Sequence, residues 1–206
     1  MEMLLIRHGL PLHLVKEDGS PADPPLSQIG HEQARRLAQW LEVEAFDAIY
    51  SSPMRRAHET AQPLAQLKGI EIQFEDRIRE FDAEASEYIP MEELKRTNPE
   101  QWRAFVAGGY SSQVDFEVFV KTVNAGLEEI VDNNRGRKIA VFCHGGVINS
   151  WATKVLGVAP KLFLDATYTS INRFIAASTG QKSVASLNET PHLRTMHDFT
   201  PRSPAG

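Results

Sequence analysis

Cysteine is nearly absent from this chain: among 206 residues there is one, Cys143. An internal disulfide is excluded, and a single thiol fits a reducing compartment. Long apolar runs are missing too. No stretch approaches the roughly 18 residues of a membrane span. The first residues lack the charged start and apolar run of a secretion signal. A cytoplasmic protein without a membrane partner is expected, and in that compartment the sequon Asn188-Glu189-Thr190 is idle. Positive charge is in deficit: 22 Lys and Arg against 27 Asp and Glu give a formal net charge of -5. A nucleic-acid surface needs a basic patch, so no nucleic-acid partner is expected. There is no P-loop and no GxGxxG, which leaves nucleotide-driven chemistry unsupported. His31-Glu32 lacks the second histidine of a zinc helix, and His58, His192 and His197 have no ligand spacing. Neither a metal nor a cofactor is expected.

What is present suffices for a core. The chain is 42% hydrophobic and 24% charged, which fits one globular domain over 1–206. Residues 2–7 read as a buried strand. Residues 10–26 hold four prolines and read as a long loop, of the kind that is functional or mobile in compact domains. Ser27 starts a helix with apolar positions at Ile29, Ala34, Leu37, Ala38 and Leu41. A second strand covers 47–52. Pro53 opens the next helix, which Gly69 ends. A short strand near 70–74 follows. Residues 81–113 read as an insertion over the site, with helical pieces at Met91–Arg96 and Gln101–Val106. A long helix spans about 114–133. "KIAVFC" (138–143) is a continuous apolar run, as in a strand covered on both faces. A helix over 146–156 and an edge hairpin of strands near 170–177 and 182–187 complete the pattern. The tail after about 195 reads as weakly ordered. Strands alternating with helices predict a three-layer α/β/α sandwich with a mostly parallel sheet. Trp40 and Trp151 read as packing residues.

Two strands end alike. The first delivers Arg7-His8-Gly9 and the later one Cys143-His144-Gly145-Gly146 to the carboxyl edge of the sheet, where open α/β sheets bind ligands. Glycine after each histidine lets the backbone turn and leaves room for a ligand. The strand over "AIY" runs into a helix that carries Arg55 and Arg56 in its first turn. A helix N-terminus favours anions, and arginine adds bidentate donors suited to phosphate. Two histidines and at least two arginines around a helix start meet the demand of a tetrahedral dianion. A neutral imidazole can attack phosphorus, arginines and backbone N–H groups after His144 can hold the phosphoryl oxygens, and a carboxylic acid must protonate the leaving oxygen. "RIREFDAE" offers Glu80 and then Asp82 for the last role. A cysteine nucleophile is rejected, because the position six after Cys143 is Asn149 rather than arginine. Cys143 and His144 should also face opposite sides of their strand.

These stretches, together with "LSQIGHEQARRLAQWL", "AIYSSPMRRAHETAQPLA" and "SLNETPHL", resemble the histidine phosphatase superfamily, the phosphoglycerate-mutase-like proteins. They occur in family order over nearly the whole chain. The resemblance implies that His8 becomes transiently phosphorylated and that Arg7, Arg56 and His144, with Gly145, bind the phosphoryl group. Arginine before alanine matches the family motif, which selects Arg56; Arg55 reads as a surface residue paired with Glu59. Glu80 matches the proton donor, and no metal is required.

The pattern departs from the family in two places. The asparagine that relatives carry in the loop after the first motif is missing; either His13, Lys16 or Ser20 replaces it, or nothing does. The glycine and tryptophan motif after the acid is also missing, and Trp102, in the insertion, is a candidate substrate contact. These departures favour a phosphatase acting on a small phosphorylated metabolite. A phosphoglycerate or phosphosugar mutase and an inactive phospho-ligand-binding scaffold are the alternatives. The substrate and the oligomeric state are left open, a homodimer being allowed.

Overall fold

A computed structural model describes residues 1–106 and 115–194 of the chain. The expected weakly ordered tail and residues 107–113 of the expected insertion lie outside the described residues. In chain order the elements are β1 (Glu2–Arg7), β2 (Leu14–Val15), α1 (Gln28–Trp40), β3 (Ala48–Ser51), α2 (Arg55–Lys68), β4 (Ile72–Phe74) and β5 (Glu87–Tyr88). Then follow α3 (Met91–Thr97), α4 (Pro99–Val106), α5 (Phe116–Asn133), β6 (Lys138–Cys143), α6 (Gly145–Leu156), β7 (Ile171–Ala176) and β8 (Lys182–Glu189). The main sheet runs β4-β3-β6-β1-β7-β8. Its first four strands are parallel, and β7 and β8 add an antiparallel edge. Among the described residues, no helix is long and apolar enough to cross a membrane.

Side chains that alternate along a strand build the three layers. Leu4 and Ile6 of β1 point to one face, with Leu37 of α1 and Ala61 and Leu64 of α2. Met3 and Leu5 point to the other, with Val123 and Leu127 of α5 and Ile148 and Trp151 of α6. Covered on both faces, β1 and β6 need apolar residues at every position, which explains their unbroken apolar runs. Each fully buried aliphatic side chain contributes about 1.5–3 kcal/mol.

Several expectations need correction. Pro53 does not open α2; the helix begins at Arg55 with Met54 as its cap residue. The Asp23 carboxylate accepts the Arg55 N–H at 2.9 Å, so a side chain from the preceding loop supplies the cap. Ile29 is 38% exposed, because Gly30 and Gln33 take the buried arc of α1 beside Ala34, Leu37 and Ala38. Trp40 is 48% exposed and is no packing residue, whereas Trp151 is buried. The 10–26 loop also holds more structure than its composition suggests. Its β2 pairs antiparallel with β5, and the Ala22 N–H donates to the Ala85 carbonyl at 2.7 Å. Loop and insertion therefore form one sheet-linked unit beside the carboxyl edge.

The contact between β1's exit and α1 sets where that edge begins. Ser27 caps α1 through Gly30 N–H, and its hydroxyl donates to the Leu10 carbonyl at 2.9 Å. A Cβ on Gly30 would lie 2.2 Å from the Leu10 carbonyl oxygen, which is backbone and cannot swing away. In an ordinary helix, alanine is favoured over glycine by roughly 0.5–1 kcal/mol. Here the sign reverses. Gly30→Ala is expected to destabilise the protein by about 2 kcal/mol or more, read as a lowered urea midpoint at unchanged slope; an unchanged or raised midpoint would contradict this packing.

Candidate active site

The pairing of β1 with β6 places the two histidines. Arg7 is opposite Cys143 in parallel register, so both strands release their next residue, His8 and His144, at the same height. The rings lie 5.2 Å apart between centroids. His8 Nδ1 is 2.8 Å from the Gly9 carbonyl oxygen. A carbonyl only accepts, so Nδ1 carries the ring proton and Nε2 keeps its lone pair. Burial, then the positive charges of Arg56 and Arg7, hold the His8 pKa well below 6.5. His144 is depressed in the same way, by burial first and Arg56 next. His144 Nε2 is 2.9 Å from Ser52 Oγ, which accepts the Met54 N–H at 3.3 Å. The Ser52 hydroxyl can therefore donate to Nε2, an arrangement that leaves the His144 proton on Nδ1. That Nδ1 is buried without a hydrogen-bond partner among the described residues.

Two guanidiniums flank the imidazoles. Arg7 donates to the Ala166 carbonyl and lies 4.1 Å over the Tyr168 ring. Arg56, with no exposed surface, donates through Nη2 to Asp82 Oδ1 at 2.7 Å and faces the Tyr88 ring at 4.6 Å. Its Nε and Nη1 have no partner among the described residues. Arg55 points out and pairs with Glu59 at 2.6 Å, as its neighbourhood predicts. Thr60 braces the floor: its hydroxyl accepts the Gly9 N–H at 2.9 Å and donates to the Arg56 carbonyl.

The acids divide by environment. Asp82 is bound to Arg56. Glu80 Oε2 accepts the Gly146 N–H at 2.8 Å, at the start of α6. Burial and the nearby Asp82 charge raise the Glu80 pKa to about 7, although the Gly146 N–H and Arg56 pull the other way. Near neutral pH, Glu80 can thus hold a proton. Cys143 belongs to the core on the α5/α6 face, and burial pushes its thiol pKa up.

Arg7, His8, Arg56, Glu80, Asp82 and Gly145 line one cavity of about 360 Å³. Trp102 of α4 is also in the lining. His144, His13, Lys16 and Ser20 are not among the lining residues, although His144 lies beside His8 and His13 reaches Glu87, both of which are. His13 lies between Glu87 and Glu93 at 3.5 and 3.1 Å. Ser20 bonds to Asp18 at 2.7 Å, and Lys16 is exposed. Among the described residues, no group of three or more His, Cys, Asp or Glu side chains is placed to hold a metal ion. Sequence reasoning missed Ser52, Thr60, Tyr88 and Asn149. Ser52 ends a parallel strand at the same edge as His8, which is a usable signal. Thr60 follows Arg56 by one helical turn. Asn149 fastens the 162–166 segment to α6, its Oδ1 accepting the Phe163 and Leu164 N–H groups at 2.9 Å.

Comparison with known proteins identifies the family. The model of the histidine phosphatase superfamily (branch 1) matches residues 3–190. Phosphoserine phosphatase 1 of Hydrogenobacter thermophilus is 31% identical over 94% of this chain and 94% of its own. Phosphoglycerate mutase-like protein 4 of Arabidopsis thaliana is 27% identical over 93% and 86%. A mutant phosphoserine phosphatase from Entamoeba histolytica, solved with phosphoserine, superposes with a TM-score of 0.72 at 26% identity, covering 93% of this chain and 98% of that one.

The buried neutral imidazoles make a prediction of their own. A histidine whose folded pKa lies below its unfolded value binds its proton only after unfolding, so stability falls as pH drops below about 6.5, by about 1.4 kcal/mol per unit for each such group. Nitrogen chemical shifts should show His8 and His144 neutral at pH 6, with the His8 proton on Nδ1; titration of either ring between pH 6 and 7 would contradict the geometry.

Proposed function

The chain belongs to the histidine phosphatase superfamily, and from that premise we propose that it hydrolyses small phosphomonoesters through a phosphohistidine, without a metal ion. The observation that carries this reading is the His8 ring, neutral by burial beside the charges of Arg56 and Arg7 and fixed by the Gly9 carbonyl so that Nε2 keeps its lone pair. The substrate dianion docks on Arg7, Arg56, His144 Nδ1–H and the start of α6 at Gly145. The unpartnered Arg56 Nε and Nη1 and His144 Nδ1 are donors that phosphoryl oxygens complete.

His8 Nε2 attacks phosphorus as the ester P–O bond opens. Glu80 passes its proton to the leaving oxygen, which departs as an alcohol. The ring keeps its Nδ1 proton on the Gly9 carbonyl, and that bond steadies the positive phosphohistidine. Water then attacks phosphorus, its proton goes to the Glu80 carboxylate, and the P–N bond breaks. Inorganic phosphate leaves, with His8 neutral and Glu80 protonated as at the start. Between the two candidate acids, Asp82 is committed to Arg56, which leaves the shuttle to Glu80. The phosphatase and mutase names of the relatives support phosphoryl chemistry on small metabolites.

Phosphate release from p-nitrophenyl phosphate in excess EDTA is expected for the parent and lost in His8→Ala, whose circular dichroism stays native. Retained activity in the variant would sink the nucleophile assignment. Transfer to a second alcohol without phosphate release would identify a mutase, and ester binding without turnover a scaffold. With an alcohol of high pKa as leaving group, kcat should fall as pH rises through about 7, because Glu80 must start protonated. Glu80→Gln should lower kcat roughly 100- to 10,000-fold and abolish that limb; a limb unchanged in the variant would assign the acid elsewhere.

A further inference from the structure

We propose that the esters this site prefers carry an uncharged, largely apolar alcohol, and that carboxylate-bearing esters are disfavoured. This inference rests on the phosphatase reading above and concerns the half of the cavity that would hold the leaving group.

The lining is of two kinds. Arg7, His8 and Arg56 make the floor where the phosphoryl group docks, and Phe81, Met91, Leu94, Trp102, Phe163 and Leu164 supply an apolar wall. Burying a methylene against such a wall is worth about fourfold in affinity. Among the described lining residues, Arg7 and Arg56 are the only cations, and both lie at the floor. Asp82 is held by Arg56 and Glu80 by the α6 N-terminus, which leaves Glu87 and Asp165 as the carboxylates elsewhere in the described lining. Lys95, whose ammonium lies 5.2 Å from the Trp102 ring, is turned to Asp165 at 2.7 Å. A leaving group that ends in a carboxylate would enter an apolar chamber whose described lining holds, beyond the floor, no cation to answer it, and burying an unanswered charge is costly. A neutral alkyl or aryl group meets no such penalty.

The test compares two esters of equal reactivity, hexyl phosphate and its omega-carboxylate counterpart, by kcat/KM, with p-nitrophenyl phosphate as a control for phosphatase activity. The parent should favour hexyl phosphate at least about tenfold. Met91→Arg, which sets a guanidinium in the wall, should shrink that ratio by a similar factor. A parent ratio near one, a preference for the carboxylate, or rejection of hexyl phosphate while p-nitrophenyl phosphate is hydrolysed would each overturn the inference and leave the phosphatase reading standing. Failure to hydrolyse all three would overturn the phosphatase reading and this inference with it.

Discussion

A fully buried guanidinium is costly to desolvate, and the site is organised around one. Arg56 has no exposed surface and, among the described residues, a single carboxylate partner, Asp82, at 2.7 Å. Desolvation of an ion is repaid only by a close partner with good geometry. The fold therefore has to bring Asp82 to Arg56, and that demand reaches far along the chain. Asp82 sits between Glu80, held by the α6 N-terminus, and the segment that becomes β5. Tyr88 of β5 offers its ring face to the same guanidinium. Through β5, the 10–26 loop is tied in as well. The loop returns the constraint by capping α2, the helix that carries Arg56, with Asp23.

The pair with Asp82 leaves Arg56 incompletely satisfied among the described residues: Nη2 meets a carboxylate, while Nε and Nη1, like His144 Nδ1, are buried without a partner there. A buried donor without a partner costs about 1–3 kcal/mol. On the phosphatase reading proposed above, a tetrahedral dianion supplies several acceptors at once to these donors. Pre-set donors also need no reorganisation as charge moves during phosphoryl transfer, which is where electrostatic stabilisation is most effective.

How far the sequence revealed this depends on the range of each interaction. The strand ends were legible because a strand's edge is a local event: Arg7-His8-Gly9 and His144-Gly145-Gly146 each carry both the reactive group and the glycine that lets it emerge. Arg56 was legible with the help of the family pattern; its geometry alone left Arg55 as a rival, since both lie in one helical turn. The mistaken or missing pieces are long-range. Pro53 suggested the start of α2, but Asp23, some thirty residues upstream, sets the helix start by capping it. The pairing of Leu14 with Tyr88 joins two segments that each read as irregular, because two-residue strands leave no periodic signal. Ser52 against His144 and Asn149 against the 162–166 segment have no sequence signature beyond their residue type. His13, Lys16 and Ser20 were plausible by spacing from the first motif; the pairing of β2 with β5 sets that loop directly behind Glu87 and Tyr88, which line the cavity while the three candidates do not.

Burial acts on acids and bases in opposite directions, and the site uses both from one cause. Removing water disfavours charge, so the imidazoles of His8 and His144 stay neutral while the carboxyl of Glu80 retains its proton to about pH 7. The arginines sharpen the split for the histidines, and Asp82 sharpens it for Glu80. A nucleophile that must be free of its proton and an acid that must hold one are thereby ready in the same solution. Separate environments that push titratable groups apart are the usual route to paired acid and base roles. Here a single environment suffices, because the groups differ in the sign of their charged form. The same dryness sets the limit on what may enter. On the reading proposed above, a phosphoryl dianion is answered by the donors of Arg7, Arg56, His144 and the α6 start, whereas a second negative charge beyond them would meet a largely apolar wall. Burial of Arg56 would then underlie both reactivity and selectivity, since the low dielectric that strengthens its hold on phosphate penalises a charge that has no partner.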